Sequence, residues 1–117
     1  MKKASLLIAF GLMASSYAFA ADLCSVAPKN CKVLKETDKI RVIEFTAKKG
    51  DKIGMHSHPT FVVYILKAGK TKFTLEDGTT KEMGTDTKVG DVLINSPVTH
   101  AQEHLSNSRV LLVEIKE

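Results

Sequence analysis

The sequence predicts an all-β domain, a sandwich or barrel of short strands, on three observations. Beyond residue 20, runs rich in Val, Ile, Phe and Tyr, such as "FVVYIL", are separated by clusters of Gly, Pro, Asp and Asn. Short β-branched and aromatic runs bounded by turn formers read as strands. Over the same region apolar residues do not recur at the helical spacing of three and four across ten or more positions. Sheets built from such strands must each bury one face against another, which leaves a sandwich or a barrel.

The chain begins with a segment that stands outside this pattern. Lys2 and Lys3 precede an uncharged stretch, "ASLLIAFGLMASSYAFA", that ends in Ala18, Phe19 and Ala20. Two cations, an apolar middle and an A-x-A end form a secretory signal peptide over 1–20, and the apolar part is short for a membrane span. Cleavage is expected after Ala20, giving a mature chain from Ala21 to Glu117, with no stable membrane insertion and a periplasmic or secreted location. Asp22 and Leu23 before Cys24 lack the small residues that precede a lipid-modified cysteine. Removing Lys2 and Lys3 lowers the formal charge from +4 to +2. The other lysines are mixed with acidic residues, and no basic run with interleaved aromatics points to nucleic acid.

An N-terminal arm follows over 21–38, carrying the only two cysteines in "CSVAPKNC". In an oxidising compartment, Cys24 and Cys31 around a short loop read as a structural disulfide, worth about 2–3 kcal/mol by loop entropy. Six residues separate them, so C-x-x-C redox chemistry has no support. The main domain is expected over 39–117. "KIRVIEFTA" alternates Ile40, Val42 and Glu44 with Arg41, Ile43 and Phe45, a strand ended by Lys48 to Asp51. Phe61 to Leu66 reads as an inner strand. Phe73 and Leu75 alternate with Lys72, Thr74 and Glu76 before Asp77-Gly78, the clearest hairpin turn in the chain. Val92 to Asn95, stopped by Pro97, and Arg109 to Lys116 supply two more strands. No internal repeat, linker or low-complexity segment interrupts the domain.

Chemistry concentrates in four histidines. In "GDKIGMHSHP", His56 and His58 are two apart, so on a strand both project to one face. That spacing alone fits two histidines on a solvated strand as well as two metal ligands. His100 and His104 lie in "SPVTHAQEH". Two histidines from one strand and a third from another could meet on one cation.

Gly50, His56, His58 and Gly69, followed by Gly90, Pro97 and His100, resemble the two ordered motifs of the cupin family, and the likeness spans roughly 40–115. The resemblance implies a double-stranded β-helix, or jelly roll, with a site in the barrel mouth. It also implies that His56, His58 and His100 hold one metal and that the protein is a homodimer. The chain departs from the motifs in three ways. The glutamate of the first motif is missing, its place falling among the apolar residues 61–63. Ser96 and Val98 stand where a proline and a glycine are usual. His104 takes the place of a closing asparagine.

A neutral set of three nitrogens suits Fe, Zn, Ni or Cu and disfavours Mg and Ca. Some cupin dioxygenases use three histidines with iron. One function class is therefore O₂-dependent oxidation or dioxygenation of a small molecule; the other is a non-enzymatic barrel that binds a ligand or a metal. A purely structural metal is a third reading. Tyr64, in phase with His58, is a candidate hydrogen-bond donor to the pocket or else a core tyrosine. His104 is a candidate fourth ligand or proton acceptor, although the polar "SNS" after it favours a turn-exposed histidine. Met55 and Phe61 are expected to wall the site.

Overall fold

The computed structural model describes residues 21–116; the expected signal peptide, 1–20, lies outside the described residues. One helical turn, α1 (Leu23–Val26), precedes nine strands: β1 (Cys31–Glu36), β2 (Ile40–Ala47), β3 (Lys52–His58), β4 (Phe61–Lys67), β5 (Thr71–Leu75), β6 (Thr80–Met83), β7 (Val92–Asn95), β8 (Val98–His104) and β9 (Ser108–Ile115). They form two antiparallel sheets, a five-stranded one in the order β1-β2-β9-β4-β7 and a four-stranded one in the order β3-β8-β5-β6. The all-β prediction holds, and the strands read from sequence in 39–47, at 61–66, around Phe73 and Leu75, at 92–95 and at 109–116 correspond to β2, β4, β5, β7 and β9 within a residue at their ends.

Alternation along the strands builds the core. Ile43, Phe45 and Ala47 of β2, Phe61 and Ile65 of β4 and Leu112 of β9 are buried between the sheets. Removing the isoleucine, leucine and phenylalanine side chains from water stabilises a fold by about 1.5–3 kcal/mol each. Residues 21–38 contribute to the same core and the same sheet. Leu23 of α1 is fully buried, and β1 pairs with β2 from Cys31 opposite Phe45 to Glu36 opposite Arg41. Asp22 caps α1 by accepting from Ser25 N and also pairs with Arg41. Cys24 and Cys31 are disulfide-bonded.

Two turns of the same construction launch β3 and β7. In Lys48-Lys49-Gly50-Asp51 and in Lys88-Val89-Gly90-Asp91, the aspartate carboxylate accepts from the lysine N–H, and the aspartate N–H donates to the lysine carbonyl. Both glycines are left-handed, at φ 94° and 93°, a conformation that a Cβ makes costly. Each turn is anchored to a strand end by the same pair of bonds. Gly50 N–H donates to the His104 carbonyl and His104 N–H to the Asp51 carbonyl; Gly90 and Asp91 do the same with Ile65. The chain therefore contains a structural repeat, with little sequence identity outside K-x-G-D to reveal it.

Candidate metal centre

His56 and His58 come from β3, and a bulge aims them. Ile53 stands opposite Gln102 and His56 opposite His100, so β3 spends three steps where β8 spends two. The extra residue shifts the phase, so that Ile53, His56 and His58 all point inward. Met55 is thereby turned out, 43% exposed, and does not wall the site as expected. Phe61 does: its ring stacks on His58 at 4.4 Å between centroids. Between the two histidines, Ser57 Oγ meets Thr99 Oγ1 at 2.7 Å, and Ser57 N–H donates to the Ala21 carbonyl. These bonds hold β3 from both sides.

His100 lies across the strand from His56, and the three imidazoles cluster, with centroids 4.9 Å apart for His56 and His58, 4.9 Å for His56 and His100, and 5.3 Å for His58 and His100. All three are buried, and their nearest ring nitrogens lie within 4.8 Å of one another. The remaining nitrogens explain how the rings are set. His56 Nδ1–H donates to the Gly54 carbonyl at 2.7 Å, inside the bulge. His58 Nδ1–H donates to the Glu114 carboxylate at 2.9 Å. Each bond fixes the tautomer and leaves the Nε2 lone pair turned to the cluster. His100 Nε2 is buried with no hydrogen-bond partner among the described residues. An orphaned acceptor costs about 1–3 kcal/mol, which a bound cation would offset.

Two of the three histidines, His56 and His100, are electrostatically prepared to stay neutral. Burial pushes His56 down from 6.5 to about 4, and the neighbouring His58 adds to the effect against the bond from Gly54. Burial and then the two neighbouring histidines push His100 down to about 3. Neutral imidazole is the ligand form, so the donor set fits a divalent transition metal.

Glu114 was not singled out in the sequence. It reaches the site from β9, buried at 4% exposure, where Val110 and Leu112 precede it on the same face. An acidic residue in phase with the apolar side of a strand was the available signal. A buried carboxylate is therefore present, although not at positions 61–63; it stands behind His58 on the side away from the cluster.

The structure places the two candidate proton-handling residues on opposite sides of the barrel wall, Tyr64 outside and His104 inside. Tyr64 is 40% exposed on the outer face of β4, whereas Phe61, Val63 and Ile65 face in. Its phase with His58 fails because Pro59 and Thr60 carry the chain from one sheet to the other, and alternation does not persist across such a crossing. His104 is not exposed at a turn but 4% exposed inside the barrel, since β8 stays regular from His100 through Gln102 to His104. Its Nε2–H donates to Gln102 Oε1 at 2.8 Å, while Thr71 Oγ1 at 3.3 Å and Ser108 Oγ at 3.4 Å donate to Nδ1. Burial lowers its pKa. With both nitrogens engaged, His104 stands apart from the cluster. Gln102 links the two, its Nε2 lying 3.3 Å from His56 Nε2, on the lone pair that a cation would take.

A cavity of about 430 Å³ opens beside the histidines. Its walls are largely apolar, including Leu23, Phe45, Phe61, Phe73, Val110 and Leu112, and His58, His100, Gln102 and His104 form its polar side. Among the described residues no helix is long and apolar enough to cross a membrane.

Solved structures share this architecture. A cupin domain from Bordetella pertussis Tohama I superposes with a TM-score of 0.61 at 20% identity, over 74% of this chain and 92% of that one. A protein with a double-stranded β-helix domain from Klebsiella pneumoniae gives 0.57 at 21% identity, over 74% and 75% of the two chains. An RmlC-like cupin from Desulfovibrio desulfuricans gives 0.55 at 17% identity, over 91% and 98%. No family model matches the sequence, and no curated protein does. At these identities the likeness establishes the fold: this chain is a double-stranded β-helix of the cupin type.

Proposed function

We propose that this protein is an exported metal-binding cupin in which His56, His58 and His100 hold one divalent transition metal, Fe, Zn, Ni or Cu, at the inner end of the cavity. The observation that supports it most is the convergence of three buried imidazoles, two with Nδ1 tied back and the third with Nε2 unpartnered. Such a metal would supply Lewis acidity, or redox chemistry if it is iron or copper. The chain's own residues do the rest: Glu114 and Gly54 orient two ligand rings, Phe61 and Phe73 pack on His58 and His100, and the apolar walls exclude water.

The enzymatic form of this reading is O₂-dependent oxidation of a small molecule held in the cavity. The apolar lining also supports a second reading, a non-enzymatic barrel that binds a ligand or a metal. The disulfide supports export to the periplasm or beyond after cleavage at Ala20. A homodimer follows from the resemblance alone.

The test is the metal content of tag-free protein from Ala21 to Glu117, by elemental mass spectrometry, beside His58→Ala. About one equivalent of a single transition metal, lost from a folded variant, supports the centre and selects the oxidation assay. No metal in either, even after anaerobic loading with iron(II) or zinc, rejects it and leaves the ligand-binding barrel.

A further inference from the structure

The charge distribution around the cavity is one-sided. Among the described residues no aspartate or glutamate lines it, and the only permanently charged side chains that do are Lys67 and Lys81. They come from opposite sheets, Lys67 from the end of β4 and Lys81 from β6, and both are exposed. Neither is paired with a carboxylate among the described residues, whereas Arg41, Arg109 and Lys116 all are. Apolar walls select an apolar body, and unpaired cations at the rim of a low-dielectric cleft concentrate anions there.

From this we infer that the cavity takes a small molecule with an apolar body and a single anionic group, the body lying against Phe45, Phe73, Val110 and Leu112 and the anion facing Lys67 and Lys81. The inference deepens the proposed function in naming its ligand class, and rests on that reading's placement of the site in the cavity. It does not depend on the metal.

The test therefore uses metal-free, chelator-treated protein from Ala21 to Glu117 and three probes with one chain length: octanoate, 1-octanol and octylammonium. Titration calorimetry is expected to rank octanoate first, about threefold tighter than octanol for each lysine engaged, with octylammonium weakest. In Lys67→Gln/Lys81→Gln, two exposed changes that leave the core intact, octanoate should fall to the affinity of octanol while octanol stays unchanged. Added salt should erase the same difference in the native protein. The inference is overturned if octanol or octylammonium binds as tightly as octanoate, if the preference for octanoate survives in the double variant, or if none of the three binds. Because metal content is measured separately, loss of this inference leaves the metal centre standing, and an absence of metal leaves this inference standing.

Discussion

His100 and His104 lie on the same face of β8, four residues apart, and both are buried, yet their nitrogens have opposite fates. His104 has every ring nitrogen engaged by Gln102, Thr71 and Ser108. His100, whose ring lies beside those of His56 and His58, keeps Nε2 without a hydrogen-bond partner among the described residues. Burial alone does not mark a ligand; what distinguishes the two is whether the surrounding protein has already used the lone pair.

Four experiments test that distinction, in descending order of expected effect. His100→Ala should abolish metal retention, a loss on the order of 100-fold or more in affinity, while His104→Gln keeps about one equivalent. Elemental analysis of both variants decides it; equal losses would erase the difference between the two histidines. Glu114→Gln keeps the shape but weakens the bond that orients His58, and metal affinity in a chelator competition should drop about tenfold. Unchanged affinity would reduce Glu114 to a packing residue.

His104→Ala leaves Gln102, Thr71 and Ser108 short of a partner inside the barrel. Urea unfolding should report a loss of about 1–3 kcal/mol with metal content unaltered. Acid is the one perturbation to which both ends should respond alike, and near neutral pH its effect is the smallest. Unfolded histidines take up protons near 6.5, but folded His56 does so only near 4 and folded His100 only near 3, and His104 is also lowered. Below 6.5 the unfolded chain therefore binds more protons, and the stability of the metal-free protein falls as pH falls toward those values. The urea midpoint at pH 5 should be lower than at pH 7; a constant midpoint would show that the histidines are not buried neutral.

Much of the frame was legible because alternation reports directly on burial. Ile43 with Phe45, the Asp77-Gly78 hairpin and Val92 to Asn95 all sit where their patterns placed them. The sequence of β1 reads as an arm because it is an edge strand: residues 32–36 are all exposed, and an edge strand writes no buried stripe into its sequence. The histidine cluster was legible as a set, since His56 and His58 share a face and His100 follows in the second motif. What failed was phase carried too far. The bulge at Gly54 and Met55 and the crossing at Pro59 each reset the alternation, which misplaced Met55 and Tyr64. Glu114 and the His104 network depend on partners 56 and 33 residues away in the chain, and no local pattern encodes such pairings.

The sequence distance across the centre has a kinetic consequence. Ser57 meets Thr99 across 42 residues, His56 meets Gln102 across 46, and His58 meets Glu114 across 56. A half-folded chain offers a cation His56 and His58 alone; the third imidazole and the orienting carboxylate arrive only when β8 and β9 have docked. A cation bound there selects the finished barrel and draws the population toward it, and does not template the early steps. Its mark on the kinetics should be a slower rate of opening, with the rate of closing left as it was.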